Sequence, residues 1–166
     1  MLRISAYSSK QLQAVIQASK QIDRELRKQI RQHTREVVRP EWERAVREHA
    51  STRLEHRVFG STARAQVSDQ NVQLQAAKIG KALSGGLKPS LNYAPVEFGA
   101  GLRQQTYTTQ RAGKTFTVKR TTGRQFRPPK RQGYVVYPAA ANIIPRIAAL
   151  WVQTTARTIH EAFESR

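Results

Sequence analysis

The side chains that carry most enzyme chemistry are sparse in this 166-residue sequence. It contains no cysteine and four histidines, which are His33, His49, His56 and His160. His49 and His56 are seven residues apart, and this spacing on a helix separates them by about 10 Å, too far to bind one metal ion. No carboxylate occurs between Glu97 and Glu161, and Gly85-Gly86 lacks the lysine and hydroxyl residues of a phosphate-binding loop. We therefore predict no catalytic residue, no metal site, no cofactor and no enzymatic activity.

Residues 103–131 form the most strongly charged segment, with nine cations and no carboxylate. The cations are Arg103, Arg111, Lys114, Lys119, Arg120, Arg124, Arg127, Lys130 and Arg131. Tyr107, Phe116 and Phe126 are interleaved with them, which suits both phosphate contacts and stacking on bases. We predict a protruding basic arm that docks on acidic surfaces of neighbouring subunits or contacts nucleic acid. A solvated charged surface is the simplest alternative.

The whole chain is basic, with 29 Lys and Arg against 11 Asp and Glu, a net charge of +18 and a pI of about 11.3. A field of this strength attracts nucleic acid or acidic protein surfaces. The hydrophobic share of 39% is sufficient for one small core, while the mean hydropathy of −0.62 indicates extended polar parts. The lack of cysteine, of a signal peptide and of an apolar membrane span favours assembly inside a cell without a membrane partner.

The N-terminal third has the spacing of a long amphipathic helix, which we predict from Ser9 to about Arg57. Pro40 removes a backbone donor and clashes with the preceding turn, so we expect a kink there or a new helix starting at Pro40. About 48 helical residues would span on the order of 70 Å, more than one small domain. Part of this helix is expected to pack on partner chains, unless it folds back as a helical hairpin.

The middle of the chain alternates polar and apolar residues, which predicts a hairpin over 65–76 and a second one over 103–122 with its turn at Arg111–Lys114. A short helical piece over Gln75–Leu83, a loop over 123–133, a strand over Tyr134–Tyr137 and a helix over Ile143–Phe163 complete the prediction. The expected fold class is α+β in a single domain over 1–166. Its parts are an N-terminal helical region (1–57), a β-rich region (58–141) with the basic arm (103–131), and a C-terminal helix (142–166).

The segment Asn92–Ala100 combines Tyr93, Pro95, Glu97, Phe98 and Gly99. Proline fixes a bend, glycine permits a backbone conformation closed to other residues, and the aromatic rings offer anchors around a solitary carboxylate. A turn in the core is the simplest interpretation. The run Tyr-Ala-Pro-Val-Glu-Phe-Gly also resembles the recurrent Tyr-Ala-x-x-Glu-Phe-Gly signature of the tail-completion and neck proteins of long-tailed (siphovirus-type) bacteriophages. That group includes the minor tail protein Z of phage lambda.

The order of elements resembles that family too, because a long helix precedes the strands and the signature, and a proline-containing segment leads into a C-terminal helix. The resemblance implies a structural subunit of a ring, expected to be sixfold, that completes the tail and lets it join the head, with DNA passing through the lumen. Implied partners are further copies of the chain, head-closure or adaptor proteins on the head side, and tail-tube or terminator proteins on the tail side. The implied location is the head–tail junction of the virion, after assembly in the host cytoplasm.

The resemblance also implies that the signature residues Tyr93, Pro95, Glu97, Phe98 and Gly99 lie at the subunit interface. Glu97 would form an ion pair between subunits or, nearly as plausibly, a buried pair with an arginine of its own chain. Two other functions stay open at this point. One is a tail-terminator ring, and the other is a stand-alone basic nucleic-acid-binding protein, although no helix-turn-helix, cold-shock or RNA-recognition signature is visible.

Overall fold

A computed structural model describes residues 2–5, 10, 13, 14, 17, 24–68 and 71–164 of the chain. Its elements in chain order are β1 (Leu2–Ser5), α1 (Arg24–His49), α2 (Arg53–Glu55), a π-helical turn (His56–Gly60), β2 (Arg64–Val67), β3 (Asn71–Gln75), a 3-10 turn (Ser84–Gly86), α3 (Pro89–Glu97), β4 (Arg103–Arg111), β5 (Lys114–Thr122) and α4 (Val136–Glu164). The predicted α+β class is confirmed, with a long N-terminal helix, small antiparallel sheets and a C-terminal helix. None of the described helices is long and apolar enough to cross a membrane.

Helices α1 and α4 pack along each other and form the centre of the body. The buried side chains of α1 recur every three or four residues and are Ile30, Thr34, Val38, Trp42, Ala45 and Val46. This is the stripe that the sequence predicts, because one face of a helix returns every 3.6 residues. Residues of α4 that meet the same core include Ile143, Ile147 and Trp151.

Pro40 lies inside α1 without interrupting it, so no new helix starts there. Its ring is on the exposed side of the helix, where water can satisfy the carbonyl that loses its backbone donor. Most of the helix predicted between residues 9 and 23 lies outside the described residues. Those that are described, Lys10, Gln13, Ala14 and Gln17, are helical.

Helix α1 ends at His49, eight residues before the predicted end, because the next residues form a new helix start. The hydroxyl of Thr52 accepts a hydrogen bond from the backbone N–H of Glu55 at 3.1 Å. In return the Glu55 carboxylate accepts from the N–H of Thr52 at 3.0 Å and of Ser51 at 2.8 Å. This reciprocal capping box satisfies donors at the start of α2 and redirects the chain.

The body sheet has the strand order β1-β3-β2 and is antiparallel throughout. The β2–β3 pair confirms the predicted hairpin, with Ser68 and Asn71 bonded to each other at its turn, while Asp69 and Gln70 lie outside the described residues. Strand β1 was not predicted, and it pairs with the far edge of β3. The indole N–H of Trp42 donates to the carbonyl of Gln75 at 3.0 Å, which ties α1 to the end of β3.

Two predicted elements are wrong. Strand β3 ends at Gln75, and the chain from there to Leu83 is irregular instead of forming the predicted helical piece. The next helical turn begins at Ser84. No strand forms over Tyr134–Tyr137, because α4 starts at Val136, seven residues earlier than expected. Tyr134 and Val135 lead into this helix, and Val136 and Tyr137 are its first residues. The β-branched residues there do favour a strand, but a carboxylate from another part of the chain caps a helix at this point, and such tertiary contacts override weak propensities.

Candidate functional site

The signature residues Tyr93, Pro95 and Glu97 lie on α3, and Phe98 and Gly99 follow its C-terminal end. Helix α3 starts with a proline in its first turn, where no partner is needed for the missing N–H. It ends at Glu97, and the N–H of the next residue, Phe98, still donates to the carbonyl of Ala94 at 2.8 Å. The segment is therefore the last turns of a helix and its exit, where the simplest sequence interpretation expected a core turn.

The carboxylate of Glu97 is fully buried and caps the N-terminus of α4. Its Oε2 accepts from the backbone N–H of Val136 at 2.9 Å and of Val135 at 3.3 Å, and its Oε1 accepts from Tyr137 at 3.0 Å. Pro138 has no N–H, and the N–H of Ala139 donates to the carbonyl of Val135 at 3.0 Å. Every backbone donor at this helix start is therefore satisfied. A negative charge at the positive end of a 29-residue helix is also electrostatically favourable.

This geometry corrects the role predicted for Glu97. An ion pair between subunits requires an accessible carboxylate, and Glu97 has a relative exposure of 0% within a single chain. Its hydrogen-bond partners are backbone groups of its own chain, not an arginine. Within the described residues, the salt bridges of the arginines go to other carboxylates. Glu97 is therefore a structural residue that joins α3 to α4.

Two glycines make room for this joint by adopting positive φ angles. A Cβ on Gly133 (φ +74°) would lie only 2.2 Å from Oε1 of Glu97. A Cβ on Gly99 (φ +73°) would lie 2.1 Å from the carbonyl oxygen of Pro128. The backbone of the 123–133 loop is bonded to the exit of α3, since Lys130 N–H donates to Phe98 O at 2.7 Å and Ala100 N–H to Arg127 O at 3.0 Å. The loop is thus fastened to the signature segment on both sides of Gly99.

Aromatic rings surround the same joint in a continuous row. Phe59 meets Tyr93 edge-on at 5.7 Å between ring centroids, Tyr93 meets Phe98 at 6.2 Å, and Phe98 meets Tyr137 at 5.4 Å. Such edge and tilted contacts are favourable geometries for aromatic pairs. Burial, the neighbouring Tyr137 and Glu97, and a side-chain hydrogen bond to Tyr137 raise the pKa of the Tyr93 hydroxyl well above its ordinary value. The Tyr93 hydroxyl is therefore a neutral, hydrogen-bonded part of this packing.

Arg127 contacts the body and does not lie on the protruding hairpin; its side chain is 41% exposed, and its predicted contact with a neighbouring ring or DNA stays a prediction. Its guanidinium Nη1 lies 3.3 Å from Oε1 of Glu55 and 3.2 Å from the hydroxyl of Ser51. The guanidinium carbon also lies 3.9 Å from the ring centroid of Tyr134, a cation–π contact. The Tyr134 hydroxyl donates to the carbonyl of Pro128 at 2.8 Å. The second half of the predicted arm, residues 123–131, therefore packs on the body, and we call it the strap.

Burial alone would raise the pKa of Glu55, since its relative exposure is 2%. Hydrogen bonds from the backbone of Ser51 and Thr52, then from the Ser51 hydroxyl and Arg127, outweigh that effect and hold the pKa of Glu55 below its ordinary value. Neither Glu55 nor Gly133 was among the predicted site residues. The Ser51-Thr52-x-x-Glu55 spacing was the signal that could have identified the capping role of Glu55.

The arm itself is the hairpin β4–β5, paired in register from Arg103↔Thr122 to Arg111↔Lys114. Its turn uses Ala112 (φ 51°) and Gly113 (φ 73°), two positive angles typical of a tight hairpin turn that matches strand twist. Nine residues per strand extend about 30 Å. Fourteen of these 18 residues are exposed and the other four are half-buried. The predicted hairpin and its turn are confirmed.

The two faces of the hairpin differ because side chains alternate along each strand and cross-strand partners share a face. The aromatic face contains Arg103, Gln105, Tyr107, Thr109 and Arg111 with their partners Thr122, Arg120, Val118, Phe116 and Lys114. The threonine face contains Gln104, Thr106, Thr108 and Gln110 with their partners Thr121, Lys119, Thr117 and Thr115. Tyr107 and Phe116 are 47% and 41% exposed, so the apolar centre of the aromatic face faces solvent.

The predicted cations therefore divide into three groups. Arg103, Arg111, Lys114 and Arg120 lie on the aromatic face and Lys119 on the threonine face. Arg124, Lys130 and Arg131 are exposed on the strap, with the Lys130 ammonium 5.0 Å from the Tyr134 ring. Arg127 alone is bound into the body through a buried carboxylate.

Comparison of the chain with protein-family models, with curated proteins and with solved structures finds no match. Within the part of the chain that the structure describes, no three His, Asp or Glu side chains lie close enough together to hold a metal ion.

Proposed function

We propose that this chain is a non-enzymatic structural subunit of a ring at the head–tail junction of a long-tailed bacteriophage, which completes the tail and lets it join the head. The observation that carries the proposal is the Tyr93–Gly99 segment, with its resemblance to the signature of tail-completion and neck proteins. DNA passes through the lumen of such a ring, and the mechanism is ordered docking without bond formation.

The contacts between the end of α3 and the start of α4 support the resemblance, although the matching segment is short. The Glu97 carboxylate accepts three backbone hydrogen bonds at the start of α4, and Gly99 occupies a position where a side chain has no room. Tyr93 and Phe98 fill the aromatic row beside them. Proteins that share this joint would share these residue types at this spacing, whatever their remaining sequence.

Exposed apolar side chains beside the joint offer the surface for subunit contacts. Leu91 is 72% exposed on α3, and Leu102 is 66% exposed at the base of the arm. Tyr137 is 44% exposed and touches Phe98, so it lies at the edge of the same region. We assign the subunit contact to these residues around the signature, in place of the buried Glu97.

Light scattering and electron microscopy of the purified full chain, alone and with tail-tube protein, test ring formation. The double variant Leu91→Ser/Leu102→Ser is expected to shift the ring toward monomer at unchanged melting temperature, because exposed residues add little to the fold. The matched control is Ala141→Ser, an exposed site on α4. Failure of the wild-type chain to form a ring or to restore head–tail joining in a lysate that lacks it would contradict the proposal.

A tail-terminator ring shares this shape and is distinguished by binding to the tail tube in the absence of heads. A stand-alone nucleic-acid-binding protein is the second candidate, favoured by the net charge of +18. A strict monomer that binds DNA tightly, with no effect on tail assembly, would favour that candidate.

A further inference from the structure

We propose that the aromatic face of the β4–β5 hairpin is a contact surface for double-stranded DNA, placed as a two-stranded ribbon in the major groove. This inference deepens the proposed ring function, on which it rests for the duplex that passes through the lumen.

Among the described residues, no carboxylate forms an ion pair with the cations of this face. Arg103, Arg111, Lys114 and Arg120 are exposed, and the hairpin contains no carboxylate. The cations that do have an acidic partner lie mostly on helices α1 and α4, in pairs such as Arg39–Glu43 and Arg157–Glu161. The face is therefore available to an anionic partner from outside the chain.

Among the residues that the structure describes, a second copy of the chain offers no carboxylate without a partner of its own. Each described carboxylate already has a hydrogen-bond or ion-pair partner within its own chain. These are Glu25, Glu36, Glu41, Glu43, Glu48, Glu55, Glu97, Glu161 and Glu164. Copies that each carry +18 also repel one another, and a ring brings several together. A polyanion in the lumen relieves both problems, and duplex DNA carries one charge about every 1.7 Å of its axis.

The shape of the face fits a duplex groove. A two-stranded ribbon is narrow enough for the major groove, which is about 12 Å wide. The charged residues lie at both ends of the face, Arg103 with Arg120 at the base and Arg111 with Lys114 at the tip. Arg120 and Lys114 are six positions apart, a distance of about 20 Å along the strand, so the two ends can reach phosphates that flank the groove at two points along its length.

The centre of the face suits the floor of the groove. Tyr107, Val118 and Phe116 lie between the two charged ends; Tyr107 and Phe116 present ring surfaces to solvent, and Val118 is half-buried. Thymine methyl groups offer apolar contacts in the major groove, and Thr109 and Gln105 on the same face can bond base edges. The threonine face carries one cation, Lys119, so only one side of the ribbon is suited to the polyanion.

The test measures binding of the full-length protein to a 30-base-pair DNA duplex between about 0.05 and 0.3 M salt. The face variant is Arg103→Gln/Arg111→Gln/Lys114→Gln/Arg120→Gln. The matched control, Arg53→Gln/Lys78→Gln/Lys81→Gln/Lys88→Gln, removes four exposed cations outside the hairpin. Four lost phosphate contacts reduce the magnitude of the log–log salt slope by about 3 to 4 and weaken binding more than about tenfold at 0.1 M salt. The control is expected to change the slope by less than about 1.

A second variant tests the groove contact separately from charge. Tyr107→Ser/Phe116→Ser is expected to weaken duplex binding about tenfold at an unchanged salt slope, since it removes base contacts and no phosphate contact. Unchanged duplex affinity of either variant would overturn the inference. Tighter binding to a 30-nucleotide single strand would overturn the groove assignment, and displacement of the duplex by poly-glutamate at equal charge would overturn it in favour of an acidic protein partner.

The two proposals fail in different ways. A wild-type ring that restores head–tail joining but binds the duplex no better than the face variant overturns only the DNA contact. A wild-type monomer that binds the duplex through the aromatic face overturns only the ring.

Discussion

Arg127 and Glu55 form a salt bridge, with Nη1 3.3 Å from Oε1, between two segments 72 residues apart. The carboxylate is almost fully buried, while the guanidinium remains partly exposed over the ring of Tyr134. Together with the backbone bonds of Lys130 and Arg127 to the exit of α3, this contact makes the second half of the basic segment part of the fold, while the hairpin extends from it.

Arg127→Gln is expected to destabilise the protein by about 1 to 3 kcal/mol, because a buried carboxylate loses its charged hydrogen-bond partner. Arg124→Gln is the matched control, since Arg124 is exposed on the same strap and is expected to change stability by less than about 0.5 kcal/mol. Chemical denaturation of both variants measures the difference. Equal stabilities for the two would show that the Arg127 pair contributes nothing to the fold.

Glu55→Gln is expected to flatten the loss of stability in acid. The pKa of Glu55 is lower in the folded state than in the unfolded state, so its contribution is present above the unfolded value of about 4.3. That contribution disappears as the pH falls through the lower folded-state pKa, because protons then bind the unfolded chain first. Melting temperatures between about pH 2.5 and 7 measure it. A variant with the same pH profile as the wild type contradicts the prediction.

Glu97→Gln is expected to cost about 2 to 4 kcal/mol, although it is nearly isosteric. The glutamine amide places donor hydrogens toward backbone N–H groups that need acceptors, and loses the favourable charge at the start of α4. Glu97→Ala leaves three buried donors unpaired and is expected to cost at least as much. Circular dichroism with urea titration is the measurement. A stable monomer with defective assembly would restore the original hypothesis that Glu97 acts between subunits.

Gly99→Ala and Gly113→Ala form a matched pair, since both glycines have φ of +73°. A side chain at Gly113 meets open space, so only backbone strain of about 1 kcal/mol is expected. At Gly99 the same strain is joined by a clash with the Pro128 carbonyl, and we expect a loss of more than about 3 kcal/mol or no soluble protein. Similar denaturation midpoints for both variants would mean that the Pro128 carbonyl leaves room for a side chain at residue 99.

Local patterns in the sequence predicted the elements whose causes are local. The apolar stripe of α1 follows from its periodicity, and the β4–β5 hairpin follows from alternating threonines and the Ala112-Gly113 turn. The start of α4 could not be found this way, because its cap is Glu97, 38 to 40 residues earlier in the chain. Strand β1 likewise depends on a partner about 70 residues away, at β3.

The candidate site was predicted in position and only partly in role. The signature residues do come together, but Glu97 faces backbone donors that no sequence pattern marks as neighbours. Arg127 looks like the other arginines of its segment, and only the buried Glu55 distinguishes it. The ring function, its partners and its place in the virion stay predictions, as does the absence of enzymatic activity.

The packing of α1 on α4 has a consequence for how the chain is made. His33 on α1 contacts Thr158 on α4 at 3.2 Å, with 125 residues between them in sequence. At synthesis rates of about 5 to 20 residues per second, α1 leaves the ribosome on the order of 5 to 25 s before the partner that covers its apolar stripe. During that interval the stripe is open to chaperones or to helices of other nascent copies. Ribosome profiling with tagged nascent chains would show whether such copies associate before synthesis is complete.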